Sequence, residues 1–151
     1  RASRWPRWRG RSNVPPMPHL QFELNFPVSK DEKGRFAHAV IGHFARIMDT
    51  GTDHIGITLR TYAPEDLVFG RAAPSGGRTA FLNADIRTGR TKEQKRALAL
   101  AIIDETARTW GIAREAVYVI YTERDGEGFQ RSDRVLPSWS PGEDPLAGPR
   151  K

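Results

Sequence analysis

The stretch Met17-Pro18-His19-Leu20-Gln21-Phe22-Glu23-Leu24-Asn25 decides the fold. Leu20, Phe22 and Leu24 alternate with polar neighbours, the period-2 pattern of a half-buried strand. Four residues on, Ser29-Lys30-Asp31-Glu32 has the form of a capping box, in which the Ser hydroxyl and the Glu carboxylate satisfy free backbone N–H groups. Phe36, Val40, Phe44, Ile47 and Met48 then mark one face of a helix, with Gly51 expected as its stop. Ile55, Ile57 and Leu59 alternate again as a second strand.

The same unit recurs 62 residues later. Ala80–Ile86 is the strand, Thr91-Lys92-Glu93-Gln94 the capping box, and Gly111 the stop. Leu100, Ile103, Ala107 and Trp110 form the expected apolar stripe, with Leu98 and Ile102 beside it. Val117, Val119 and Tyr121 make the last strand. Two strand–helix–strand units predict an α/β fold with a four-stranded mixed sheet. Right-handed crossovers put both helices on one face. The other face is expected to hold Gln21, Glu23, Asn25, Thr58, Tyr118 and Ile120, a mixed surface suited to packing against copies of the same chain.

Pro18 gives this strand a chemical use. If Met17 starts translation and is removed, Pro18 is a free secondary amine. With residues 1–16 attached, the same nitrogen is a tertiary amide that neither accepts nor donates a proton. The plain alternative is a proline that merely starts a strand, where no N–H is needed.

The 151 residues suit one domain of modest core. No cysteine is present, which excludes disulfide and thiol chemistry. No apolar run reaches the roughly 18 residues of a membrane span. The net charge of +6 is carried by the first residues: without the five arginines of 1–16, the rest is left with +1. The body therefore lacks a nucleic-acid footprint. Residues 1–16, with Trp5 and Trp8 among the arginines, are read as a tag or upstream remnant, 17–139 as the domain, and 140–151 as a flexible tail. Residues 63–78 are expected to be a loop and 124–151 irregular, with Leu136 and Trp139 pinning part of the tail to the body. A cytoplasmic protein, with neither nucleic acid nor membrane as partner, is expected.

Weaker constellations carry less. His19, His38, His43 and His54 lack metal-ligand spacing, so no metal site is expected. Ser75-Gly76-Gly77-Arg78 lacks the Lys-Ser/Thr pair of a phosphate cradle and reads as a turn. Asp104 and Glu105 read as a solvated helix edge, and Glu123, Asp125 and Glu127 as a loop cluster near a pocket mouth.

The Met17-Pro18 start, the doubled unit and the segment Ala84-Asp85-Ile86-Arg87-Thr88-Gly89-Arg90-Thr91-Lys92-Glu93-Gln94-Lys95 together resemble the tautomerase superfamily. The likeness spans about residues 17–139. It is greatest to the longer branches, the cis-3-chloroacrylic acid dehalogenases, the malonate semialdehyde decarboxylases and the macrophage migration inhibitory factors. The resemblance implies a homotrimer, an amino-terminal proline in a pocket, and neither metal nor organic cofactor. It makes Pro18 the proton shuttle and gives Arg87 and Arg90 the substrate carboxylate. Tyr118 falls at an active-site tyrosine of the inhibitory factors, and Ile120 replaces their neighbouring Asn. For Arg87 and Arg90 the alternative is a solvated turn before a helix.

Two departures argue against dehalogenation. The dehalogenases' helix-one histidine falls at Ala45, two residues from His43, and their water-activating glutamate falls at Arg131, with Glu127 off register. The expected function is thus keto–enol isomerisation of a small carboxylic acid. Two other readings stay open. One is hydration, dehalogenation or decarboxylation of a three-carbon acid by a cationic Pro18. The other is a non-catalytic trimeric interaction protein.

Overall fold

The computed structural model describes residues 18–132 and 134–142. The expected extension 1–16 and most of the tail lie outside the described residues. Strand β1 is His19–Leu24, followed by α1 (Lys30–Ile47) and β2 (Gly56–Thr61). The second unit is β3 (Ala80–Arg87), α2 (Lys92–Trp110) and β4 (Val117–Arg124). The sheet order is β2-β1-β3-β4. Within each unit the strands are parallel, and β1 meets β3 antiparallel.

Both capping boxes form. Ser29 Oγ accepts from Glu32 N, and Glu32 Oε2 accepts from Ser29 N. Thr91 and Gln94 repeat the arrangement. The helix stops also repeat, but not where a glycine was sought. Asp49, at φ 50°, takes the left-handed position expected of Gly51. It stands 62 residues before Gly111, at φ 63°. Thr50 N bonds to Ala45 O and Ile112 N to Ala107 O, the same six-to-one closure at the same offset. An Asp tolerates this conformation at small cost, which hid it from a glycine-based reading.

Leu20, Phe22 and Leu24 pair with Ala84, Leu82 and Ala80 across the sheet, all buried beneath the helices. Phe36, Val40, Phe44 and Met48 of α1 close the core, and Phe36 lies 4.4 Å from Trp110, ring centre to ring centre. The buried stripe of α2 is Leu98, Ile102, Thr106 and Trp110 rather than the expected 100, 103, 107, 110. Residues 98–103 are apolar all round, so periodicity alone did not choose a face. Thr106 is tolerated there because its hydroxyl donates to Ile102 O, at 2.7 Å.

Gln21, Glu23, Thr58, Tyr118 and Ile120 lie on the open face, as expected, but Asn25 does not. Its side chain is buried, donating to Leu67 O and Gly77 O and accepting from Thr79 N. Two of these bonds reach the 63–78 loop and the third reaches Thr79 just beyond it, and together they knot the loop to the end of β1.

Candidate active site

Pro18 sits immediately before β1 and is buried. Its carbonyl accepts from Gly56 N at 2.9 Å, which ties the residue into the sheet. His19 pairs with Asp85 in antiparallel register, so Pro18 stands level with Ile86, one position from Arg87. The start of β1 and the end of β3 therefore share one end of the sheet.

Arg87 ends β3, and Arg90 follows the Thr88-Gly89 turn. They are only 5% and 7% exposed, so neither belongs to a solvated turn. Burying a guanidinium is costly unless its donors and faces are engaged. Arg87 Nη1 donates to Pro137 O at 2.6 Å. The Arg90 guanidinium lies 4.4 Å from the Trp139 ring centre and 5.9 Å from that of Phe44. A cation over an aromatic face is stabilised by the ring's quadrupole, more so away from water.

Pro137 and Trp139 belong to a strap that returns over this end of the sheet after β4. Leu136 packs with Phe129, and Trp139 is buried, as the sequence led us to expect. The contact with Arg90 was not foreseen; a lone Trp in a Pro- and Ser-rich stretch was its one signal. Trp139 N donates to Thr88 O at 2.9 Å, and the Ser138 and Thr88 hydroxyls bond at 3.0 Å. The approach is close enough to demand glycine twice. A Cβ on Gly89 would stand 2.3 Å from Trp139 O, and one on Gly126 would stand 2.0 Å from Pro137 C.

Tyr118 and Ile120 lie elsewhere. Tyr118 pairs with Phe81, six positions before Arg87, which places it about 20 Å along the sheet at 3.3 Å per residue. Both are nearly half exposed, on the rim of a shallow hollow of about 220 Å³ that Gln21, Glu23 and Asn83 also line. Phe69 and Phe81 flank Tyr118, with ring centres 5.9 and 5.6 Å away. One copy of the chain thus brings the Pro18 backbone level with the end of β3 that leads into Arg87 and Arg90, and leaves Tyr118 and Ile120 farther along the sheet.

The remaining candidates are structural. His43 faces the α1–α2 seam, 3.2 Å from Arg46 and 3.9 Å from Glu105. Its pKa is lowered by burial first, then by the Arg46 and Arg108 charges. Glu105 is not a solvated edge; it is buried and paired with Arg108. Asp104 is exposed and pairs with Arg114 at 2.8 Å. Glu123 holds Lys95 at 3.1 Å, and Asp125 meets Thr88 at 3.5 Å. Among the described residues, no three His, Asp or Glu side chains gather as a metal site would require. No described helix is long and apolar enough to cross a membrane.

Compared with curated proteins, the sequence matches none. The family model described as tautomerase enzyme matches residues 81–137, from β3 to the strap. Among solved structures, N1 of the cis-3-chloroacrylic acid dehalogenase family aligns with a TM-score of 0.70 at 24% identity, over 83% of this chain and 86% of its own. A fused 4-OT described as a wild-type symmetric trimer gives 0.67 at 21%, over 80% and 95%. FG41 malonate semialdehyde decarboxylase, inhibited by 3-bromopropiolate, gives 0.64 at 20%, over 75% and 88%. At these identities the structures share the fold. The second β-α-β unit thus carries the pattern of the tautomerase family model, and the whole sheet shares the fold of these structures.

Proposed function

We propose that this protein moves a proton between the keto and enol forms of a small carboxylic acid, with Pro18 as the base and Arg87 and Arg90 as the carboxylate site. The observation that supports the reading is the register of β1 on β3, which brings the Pro18 backbone level with the end of β3, where the chain enters the turn carrying the buried Arg87 and Arg90. The reading requires a mature chain that starts at Pro18, so that its nitrogen is an amine.

Model α-amino groups titrate near ~8, and proline's secondary amine is more basic. Burial and neighbouring positive charge both disfavour the ammonium form. Both lower the pKa toward the neutral range, where a general base works best. A guanidinium fork matches a carboxylate in two parallel bonds, and its charge stabilises the enolate that forms when Pro18 takes the proton. The same amine returns the proton to the other end of the substrate. The cationic environment favours this free-base use of Pro18 over the hydratase or decarboxylase use of a cationic Pro18.

A homotrimer is part of the proposal. The open face exposes Tyr118 and Ile120 about 17 and 10 Å along the sheet from the level of Pro18, so a neighbouring copy is needed to bring them to a site.

The test takes the chain from Pro18 onward and measures ketonisation of phenylpyruvate and 2-hydroxydienoates. Pro18→Ala should lower kcat/KM on the order of 10²-fold. A chain extended upstream of Pro18 should be inactive, and wild-type activity should fall as pH drops and the amine gains its proton. Full activity of the extended chain, or activity that instead falls as the proton leaves, would defeat the reading. Sedimentation as a monomer would defeat the trimer.

A further inference from the structure

The Trp139 indole N–H is an orphan. The residue is 6% exposed and its Nε1 is sealed from solvent, yet it finds no acceptor among the described residues. Buried indole N–H groups are normally bonded, because leaving water without a new acceptor is costly.

The ring that carries this donor sits beside the candidate carboxylate site. The ring lies over the Arg90 guanidinium at 4.4 Å. Two residues earlier, Pro137 O holds Arg87. The backbone of Trp139 is held on Thr88, over the Gly89 turn that admits no side chain. A large donor side chain held this firmly is pre-organised, so binding through it needs little further ordering.

We propose that the Trp139 indole N–H donates to an oxygen of the bound acid, as a third donor beside Arg87 and Arg90. The inference rests on the proposed carboxylate site and adds a member to it. The occupant it commits to is a small oxyanion, a carboxylate or an enolate oxygen, since a neutral apolar group offers the N–H no acceptor. The bond makes Trp139 a substrate-binding residue as well as a roof over Arg90.

The direct test is NMR of uniformly ¹⁵N-labelled protein starting at Pro18, titrated with sodium phenylpyruvate and, separately, sodium benzoate. Trp110 and Trp139 are then the two indoles present, and the spectrum of Trp139→Phe assigns them. The expected result is a downfield, saturating shift of the Trp139 indole proton with slower exchange against water. Trp139→Phe keeps a ring for Arg90 and removes the donor. Its Kd for phenylpyruvate, by calorimetry, should rise about ten-fold, with the thermal transition little changed. Binding that leaves the Trp139 indole resonance unmoved overturns this inference while the carboxylate site stands. Absence of binding by either acid, together with absence of turnover, overturns the carboxylate site and the inference with it. The labelled wild type decides the matter even if the variant fails to fold.

Discussion

Replacing Gly89 by Ala tests how firmly the strap is seated. The new Cβ would stand 2.3 Å from Trp139 O, where ordinary contact begins at 3.4 Å. The strap must retreat by the difference, about 1.1 Å. Such a retreat breaks the 2.9 Å bond from Trp139 N to Thr88 O, worth about 1 kcal/mol. Gly89 also sits at φ +120°, where a side chain adds about 1–3 kcal/mol of backbone strain. Partial unpacking of Trp139 adds about 1 kcal/mol more, a fraction of the 3–5 for deleting a large aromatic. The sum is about 3–5 kcal/mol, against a total stability of about 5–15 for an ordinary domain.

Two control substitutions separate strain from contact. Gly76 is also left-handed, at φ +64°, but nothing lies within 4 Å of its Cβ position. Gly76→Ala should therefore cost only about 1–2 kcal/mol. Gly34 lies inside α1 with open space around it, and Gly34→Ala should stabilise by about 0.5–1 kcal/mol. Urea unfolding by far-ultraviolet circular dichroism, at one protein concentration, ranks the three. If Gly89→Ala costs no more than Gly76→Ala, the strap is not pressed on the turn and the reasoning fails.

Arg87→Lys keeps the charge but loses the planar fork, so KM for a carboxylate substrate should rise about ten-fold or more in steady-state kinetics. An unchanged KM would remove Arg87 from the carboxylate site. His43 should make the fold acid-sensitive. Its pKa is lower folded than the ordinary ~6.5 unfolded, so the unfolded chain binds the proton first. The stability it confers is complete above that value and is lost as pH falls from it through the lowered folded pKa. The Glu105 carboxylate 3.9 Å away opposes this, but it is already engaged by Arg108, and burial with two guanidiniums outweighs it. Unfolding midpoints of His43→Gln between neutral pH and mild acid should fall less steeply than those of wild type. Parallel curves would show that His43 does not carry the effect.

Local pattern was enough for the elements. Ser29–Glu32 and Thr91–Gln94 each close a reciprocal pair of bonds within four residues, so no distant partner is needed to read a helix start. Alternation in β1 and β3 was equally plain, because one face of the sheet is dry and the other is not. Local chemistry misled where a second residue type could do the same work, as Asp49 does in place of Gly51. It was silent where the sequence is apolar on every side, as in α2.

Through a family resemblance the sequence offered Pro18, Arg87 and Arg90 as candidates; by itself it determined the doubled unit, its two capped helices and the sheet built from it. Those are matters of period, short-range hydrogen bonding and motif, which a linear chain displays in order. Only the tertiary structure decided that the arginines are buried and that Trp139 stacks on one of them with its N–H unused. It also decided that Asn25 is a knot rather than a surface residue, and that Tyr118 stands far from Pro18 in a single copy. Each of these depends on which segments meet across long separations, and that is fixed by strand register and close packing rather than by any neighbour in the chain.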